Sequence, residues 1–241
     1  MIQNIYDHPE FFAAYKDLRD NDKGFNESIE APAVQRLIKG VGGSNVLDLG
    51  CGLGHQINFL LEQGAEKIDA IDVSKKMIDE CAKRFQHPNV SFCCEAIENY
   101  SMGINQYDII VSSMALHYVN DLDQVFVNIY QALKKEEGQF IFSVEHPICT
   151  ACQIGWLDAA ETKYWLIKDY SKEGIRYQNW FVDGVQKYHR KLSTIVELLL
   201  KHGFTIAAID EPQPSPAWLD KRPNLTQHLH RPPVLVIKAC K

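Results

Sequence analysis

No stretch of the chain approaches the ~20 consecutive apolar residues that carry a helix across a bilayer, so a membrane span is not expected. Basic clusters are also missing. The densest, Lys187–Lys191, is interrupted by Tyr188 and His189, and the 241 residues sum to a net charge of −6. A nucleic-acid binder meets phosphates with a basic face, and nothing here predicts one. The seven cysteines are odd in number and follow no repeating pattern, which excludes a disulfide framework and points to free thiols. His146, Cys149 and Cys152 are spaced by three, but a structural zinc needs four ligands and there is no second Cys-x-x-Cys to supply them; no metal is expected. The first ten residues include Asp7, Pro9 and Glu10, which is not the basic-then-apolar order of a secretory signal, and the expectation is a cytoplasmic protein. Internal repeats and low-complexity tracts are absent. What is present is ordinary for one soluble core, 46% hydrophobic and 23% charged, and we read residues 1–241 as one domain.

The informative segment is Val46–Gly54, Val-Leu-Asp-Leu-Gly-Cys-Gly-Leu-Gly. A short apolar run carries an acid, Asp48, and opens into three glycines at every second position. Glycine tolerates positive φ and lets a ligand lie against bare backbone. The spacing is not that of a dinucleotide loop, G-x-G-x-x-G: the third-glycine slot holds His55 or Ile57, depending on where the pattern starts. A second acid, Asp72, ends the next apolar run, where a carboxylate can hold a ribose diol.

Hydrophobic patterning predicts alternating strands and helices. Strands are read at Val46–Leu49, Lys67–Ile71, Val90–Cys94, Asp108–Ser112 and Gln139–Val144. Helices are read at Gln56–Glu62, after Ser74 as N-cap, and after an Asp121/Gln124 capping box. Alternation of this kind gives a parallel sheet covered on both faces, with ligands beyond the strand C-termini. Gly50, Asp72, Glu95, Ser113 and Glu145 all fall there. Further on, a helix over His189–His202 and strands at Phe204–Ile209 and Val234–Ile237 are expected, with Glu211–Pro233 irregular. Residues 147–188 hold Trp156, Trp165 and Trp180 with little periodicity, and residues 1–32 read as an amphipathic helix (Phe11, Phe12, Tyr15, Leu18) followed by an extended linker ending at Pro32.

The strings VLDLGCGLG, AIDVSKKMI, YDIIVSSMALHYV and KHGF resemble the class I S-adenosylmethionine (SAM) dependent methyltransferases, and within them the small-molecule branch labelled type 11. The resemblance runs from about Val34 to Val144 and resumes at His189–Ile209. It implies an α/β, Rossmann-like, doubly wound seven-stranded sheet, mostly parallel, whose last strand is antiparallel. It implies SAM as cofactor, S-adenosylhomocysteine (SAH) as product and a small-molecule methyl acceptor. Carried over residue by residue, Gly50, Cys51, Gly52 and Gly54 approach the methionine moiety, Asp48 orients that loop and the ammonium, and Asp72 takes the ribose hydroxyls. Val73 and Met77 cover one adenine face, Glu95, Ala96 and Ile97 flank its edge, and Ser113 and Met114 sit beside the sulfonium. The family usually has Gly-Asp-Ala after strand three, where this chain has Cys94-Glu95-Ala96. No Pro-Pro-aromatic tetrapeptide follows strand four and no Pro-Cys pair occurs, which argues against nucleobase methylation.

Displacement at a methyl sulfonium needs proximity and alignment, and a base only where the nucleophile is protonated. His146 and His189 are the candidate bases, with Glu145 and His117 beside them. Residues 147–188 are expected to form a substrate lid, and Tyr15 and Arg19, on an N-terminal cap (1–32), to close over the cofactor. A non-catalytic SAM- or nucleoside-binding protein and an NAD-dependent oxidoreductase are the competing readings.

Overall fold

The computed structural model describes residues 3–21, 24–152, 154–159 and 162–241, so parts of the expected cap (1, 2, 22 and 23) and of the expected lid (153, 160 and 161) lie outside the described residues. Two helices precede the first strand, α1 (Pro9–Asp20) and α2 (Ala31–Leu37). Between them runs not an extended linker but a π-helical turn, Asn26–Glu30, leading directly into α2. Pro32 sits in the first turn of α2, where its missing N–H is not needed.

The alternation then follows: β1 (Asn45–Leu49), α3 (His55–Glu62), β2 (Lys67–Asp72), α4 (Lys75–Arg84), β3 (Val90–Cys94), β4 (Ile109–Ser113), α5 (Leu122–Ala132) and β5 (Gln139–Glu145). Local chemistry sets the helix starts. Ser74 Oγ accepts the Met77 amide at 3.1 Å, and Asp121 accepts that of Gln124 at 3.0 Å. The second half of the expected box does not form, because the Gln124 side chain turns to Asn128 instead.

Beyond β5 come α6 (Pro147–Thr150) and two hairpins, β6 (Trp156–Ala159) with β7 (Thr162–Trp165), and β8 (Gly174–Trp180) with β9 (Val182–His189). These hairpins fall in the segment whose sequence showed little periodicity. His189 therefore closes a strand, and the next helix, α7, begins later (Leu192–Lys201). β10 (Thr205–Asp210), two short helices, α8 (Pro216–Lys221) and α9 (Gln227–His230), and β11 (Val234–Cys240) complete the described chain.

The main sheet has seven strands in the order β10-β11-β5-β4-β1-β2-β3. All lie parallel except β11, which runs antiparallel to both neighbours. Its register pairs Val234 with Glu145 and Cys240 with Gln139, so the start of β11 meets the C-terminal end of β5. Period-two alternation divides the core. Leu47, Leu49, Ile110, Phe140 and Phe142 pack with Phe126, Ile129, Ile195 and Leu199 of α5 and α7. Val46, Ile109, Val111 and Ile141 pack with Val34, Ile57, Leu60 and Cys81 of α2, α3 and α4. Both faces are covered, as a mainly parallel sheet requires. The strand order reverses between β1 and β4, which opens a crevice at the strands' C-terminal edge.

Candidate active site

A cavity of about 430 Å³ fills that crevice, within the range of about 300–1,000 Å³ typical of small-molecule sites. The β1–α3 turn forms one end. Its three glycines have different reasons for being glycine. A Cβ on Gly50 (φ +79) would lie 2.4 Å from the Ala115 Cβ, and one on Gly54 (φ +80) would lie 2.5 Å from the Phe85 ring and 2.6 Å from Cys81 Sγ. Both serve close packing. A Cβ on Gly52 (φ +52) would meet nothing within 4 Å. Gly52 is the exposed piece of backbone, and Gly54, expected against the cofactor, faces α4 instead and is not on the cavity wall.

Two acids flank Gly52. Asp72 Oδ2 accepts the Gly52 amide at 3.0 Å and Oδ1 accepts that of Ser74 at 2.9 Å. Burial pushes Asp72 up to about 6, against the pull of those two bonds. Asp48 is 1% exposed, and neither carboxylate oxygen has a hydrogen-bond partner among the described residues. Burial, then the nearby charges of Asp72 and Glu30, push it up to about 8. Gln56 Oε1 and Arg19 Nε are likewise buried and unpartnered. A buried polar group without a partner is costly, and several on one wall describe a surface complementary to a polar ligand. The chemistry of the set fits SAM, in which Asp48 would meet the ammonium, Arg19 the carboxylate and Asp72 the ribose diol.

The remaining expected cofactor contacts, Cys51, Val73, Met77, Ala96, Ile97, Ser113, Met114, Tyr15 and Arg19, all line the cavity. Glu95 does not. Its Oε1 accepts the Ala96 amide at 3.0 Å and a weaker bond from Asn99; the carboxylate folds onto its own turn, and Glu98 takes the place on the wall. The cover comes from the N-terminal segment. Tyr6 and Tyr15 pack edge-to-face at 5.1 Å, and Tyr15 meets Trp180 of β8 at 6.0 Å. Asp7 fastens this segment to the start of α4 by accepting from Ser74 Oγ (2.6 Å) and the Lys76 amide (3.1 Å).

The other end of the cavity is built by the later elements. Glu145, at the end of β5, accepts from Lys187 Nζ of β9 at 2.8 Å, and the same ammonium donates to Gln178 at 2.9 Å. Burial is the largest single influence on Glu145 and acts to raise it, but Lys187, His117 and Arg231 together hold the carboxyl below its ordinary range. His117 is on this wall too. Its Nδ1 accepts the Glu145 amide at 3.3 Å, and burial together with Lys187 pushes it down to about 3. It is a neutral imidazole carrying its proton on Nε2.

Neither candidate base reaches the cavity. His146 caps α6, Nδ1 accepting the Ile148 amide at 3.1 Å, while Nε2 pairs with Glu211 at 2.8 Å. His189 is fully buried, between the Thr150 hydroxyl at 2.7 Å and the Tyr170 carbonyl at 2.8 Å. Both rings have their nitrogens engaged in holding loops, and burial lowers both. Among the described residues no group of three metal-ligating side chains forms. The spacing of His146, Cys149 and Cys152 is taken up by packing, Cys149 lying on the cavity wall and Cys152 bonding Gly155. Sequence reasoning missed Tyr6, Glu30, Gln56, Tyr118, Lys187 and Arg231 as wall residues. Only Gln56 carried a local signal, its place in the first turn of the helix after the glycines.

Comparison with known proteins agrees with this fold. A family model described as a methyltransferase domain matches residues 46–136. An uncharacterised protein of Haemophilus influenzae is 34% identical over 99% of this chain and 97% of its own length. The crystal structure of a SAM-dependent methyltransferase from Mesorhizobium loti superposes with a TM-score of 0.83 at 34% identity, covering 88% of this chain and 97% of that one. A malonyl-[acyl-carrier protein] O-methyltransferase of Acetivibrio thermocellus is 34% identical over 41% of this chain, and the match spans only 35% of that relative.

Proposed function

The chain belongs to the class I SAM-dependent methyltransferases, and from that footing we propose that it methylates a small-molecule acceptor seated between the Gly52 turn and the Glu145–Lys187 pair. The observation that carries this reading is bare backbone at Gly52 between two buried acids, one with no partner.

SAM supplies a methyl group on a sulfonium, already activated for displacement. The protein's share is placement and dryness. Asp48 pairs an ammonium and Asp72 takes two vicinal hydroxyls. Tyr6, Tyr15 and Trp180 exclude water from above, so that we read residues 1–32 as a cover and 147–188 as an acceptor-side lid. Among the described residues no candidate at the acceptor end is placed as a neutral-pH base: His117 is held neutral, Glu145 is ion-paired, and His146 and His189 lie off the wall. The arrangement therefore suits an acceptor that arrives as a ready nucleophile. The free cysteines among the described residues suit a reducing, cytoplasmic setting.

The test is calorimetric titration with SAH and SAM beside NAD, followed by SAH release with candidate acceptors. Tight SAH binding without NAD binding supports the reading. An NAD preference, or SAM binding with no turnover across acceptor classes, overturns it.

A further inference from the structure

The acceptor end holds a second cation that has no ion-pair partner among the described residues and feels the Glu145 carboxylate only at longer range. Lys187 is taken up by Glu145. Arg231, which lies just ahead of β11 and lines the same cavity, forms no ion pair among the described residues. Its guanidinium carbon stands 4.0 Å from the centre of the Trp165 ring and 5.5 Å from that of Trp156. These tryptophans face each other across the β6–β7 hairpin, and the Trp165 indole is itself anchored to the Ile148 carbonyl at 3.0 Å. The guanidinium is thus held against the Trp165 ring by a cation–π contact.

Its edges are not equivalent. Nη1 donates to Cys149 Sγ at 2.8 Å, a neutral thiol that burial pushes up to about 12 and that leaves the positive charge uncompensated. Nε is buried without a partner, and Nη2 has no hydrogen bond among the described residues. The Nε–Nη2 edge presents two parallel N–H bonds, the spacing that matches the two oxygens of a carboxylate. A ligand with one acceptor atom would leave one of these donors unsatisfied.

We propose that the methyl acceptor carries a carboxylate, and that it docks on the Nε–Nη2 edge of Arg231. This deepens the methyltransferase reading and rests on it. The carboxylate would complete the charge balance of this wall, as an ammonium completes it at Asp48. Arg231 is a binding residue here, selecting acceptors by charge and shape.

The experiment uses the full chain loaded with SAH and matched probes: phenylacetate, indole-3-acetate and butyrate, their amides, and phenyl phosphate. Binding is read by calorimetry and by the shift of the thermal midpoint. At least one acid is expected to bind and its amide to bind at least about tenfold more weakly. Arg231→Gln should lose that acid by a similar factor. Arg231→Lys should lose most of it as well, since lysine keeps the charge but lacks the edge. SAH affinity should stay within about twofold in both variants. The proposal falls if no acid binds, if acid and amide bind alike, if phenyl phosphate binds tighter than every acid, or if Arg231→Gln retains the acid. The acid–amide contrast in the unsubstituted protein decides the matter even if a variant fails to fold. Failure of the unsubstituted protein to bind SAH is a separate result that overturns the methyltransferase reading and takes this proposal with it.

Discussion

Under the β1–α3 turn, Asp48 has two carboxylate oxygens with nothing to bond, while at the far side of the same cavity Glu145 is met by Lys187 at 2.8 Å. Asp48 is buried and Glu145 largely so, and they are handled in opposite ways. The first end is left incomplete, its charge deficit shaped for a ligand whose chemistry is fixed. The second end is mostly self-neutralised among the described residues, with Arg231 set beside the Trp165 ring. A buried polar group without a partner costs stability. The unpartnered Asp48 carboxyl at the glycine turn therefore marks a place where ligand binding, rather than folding, satisfies the group.

This contrast can be broken most sharply at the pair. Lys187→Met removes the ion-pair partner of the largely buried Glu145, and should cost about 3 kcal/mol of stability in urea unfolding at pH 7. Adding Glu145→Leu should restore most of it, since both charges are then gone. A single substitution as mild as the double would mean that this end is not self-neutralised. Next in size, Asp72→Ala should weaken SAH binding by about 2–3 kcal/mol, roughly 30- to 150-fold by calorimetry, whereas the Lys187/Glu145 double variant should bind SAH almost normally. Equal losses in the two would erase the distinction between the ends.

Protonation offers a finer test. With Asp48 raised from an ordinary 3.8 to about 8, the ligand-free folded state holds a proton between these values that the unfolded chain has released. Stability is then greatest below this window and falls as pH rises through it, with a slope approaching about 1.4 kcal/mol per pH unit. Asp48→Asn should flatten that slope in melts between pH 5 and 8. Because a bound ammonium favours the carboxylate, SAH binding at pH 7 should release a proton, seen as a buffer-dependent heat. A heat independent of buffer would mean that Asp48 is already ionised and matched by something else. The smallest effect is at Gly52→Ala, which should cost about 1 kcal/mol of stability for its left-handed backbone, yet place a methyl in the open cradle and weaken SAH further than that cost alone suggests.

The sheet was legible because its central strands are buried on both faces and punctuated by glycine, Ser74 and Asp121, all of which act locally. The same holds for Asp48, Gly52 and Asp72, whose positions follow from strand ends. The acceptor wall was not legible. β8 and β9 carry polar residues on both faces, such as Arg176, Gln178, Gln186 and Lys187, so they show no clean alternation, and their partners come from chain segments far apart in sequence. His146 and His189 illustrate the remaining difficulty. Sequence placed them correctly near a strand end or a segment boundary, but could not tell that Ile148, Glu211, Thr150 and Tyr170 would occupy their ring nitrogens. Gly54 is a milder case: the motif required a glycine, and the reason turned out to be Cys81 and Phe85 behind it.

The reversed direction of β11 has a practical side for anyone handling the protein. Its first residue pairs with Glu145 beside the cleft and its last with Gln139 at the opposite rim, about 20 Å away at ~3.3 Å per residue. A purification tag or fluorescent label attached after Lys241 therefore hangs clear of the opening. Gln3, near the other end of the described chain, itself lines the cavity, so the C-terminal side is the safer place for a tag.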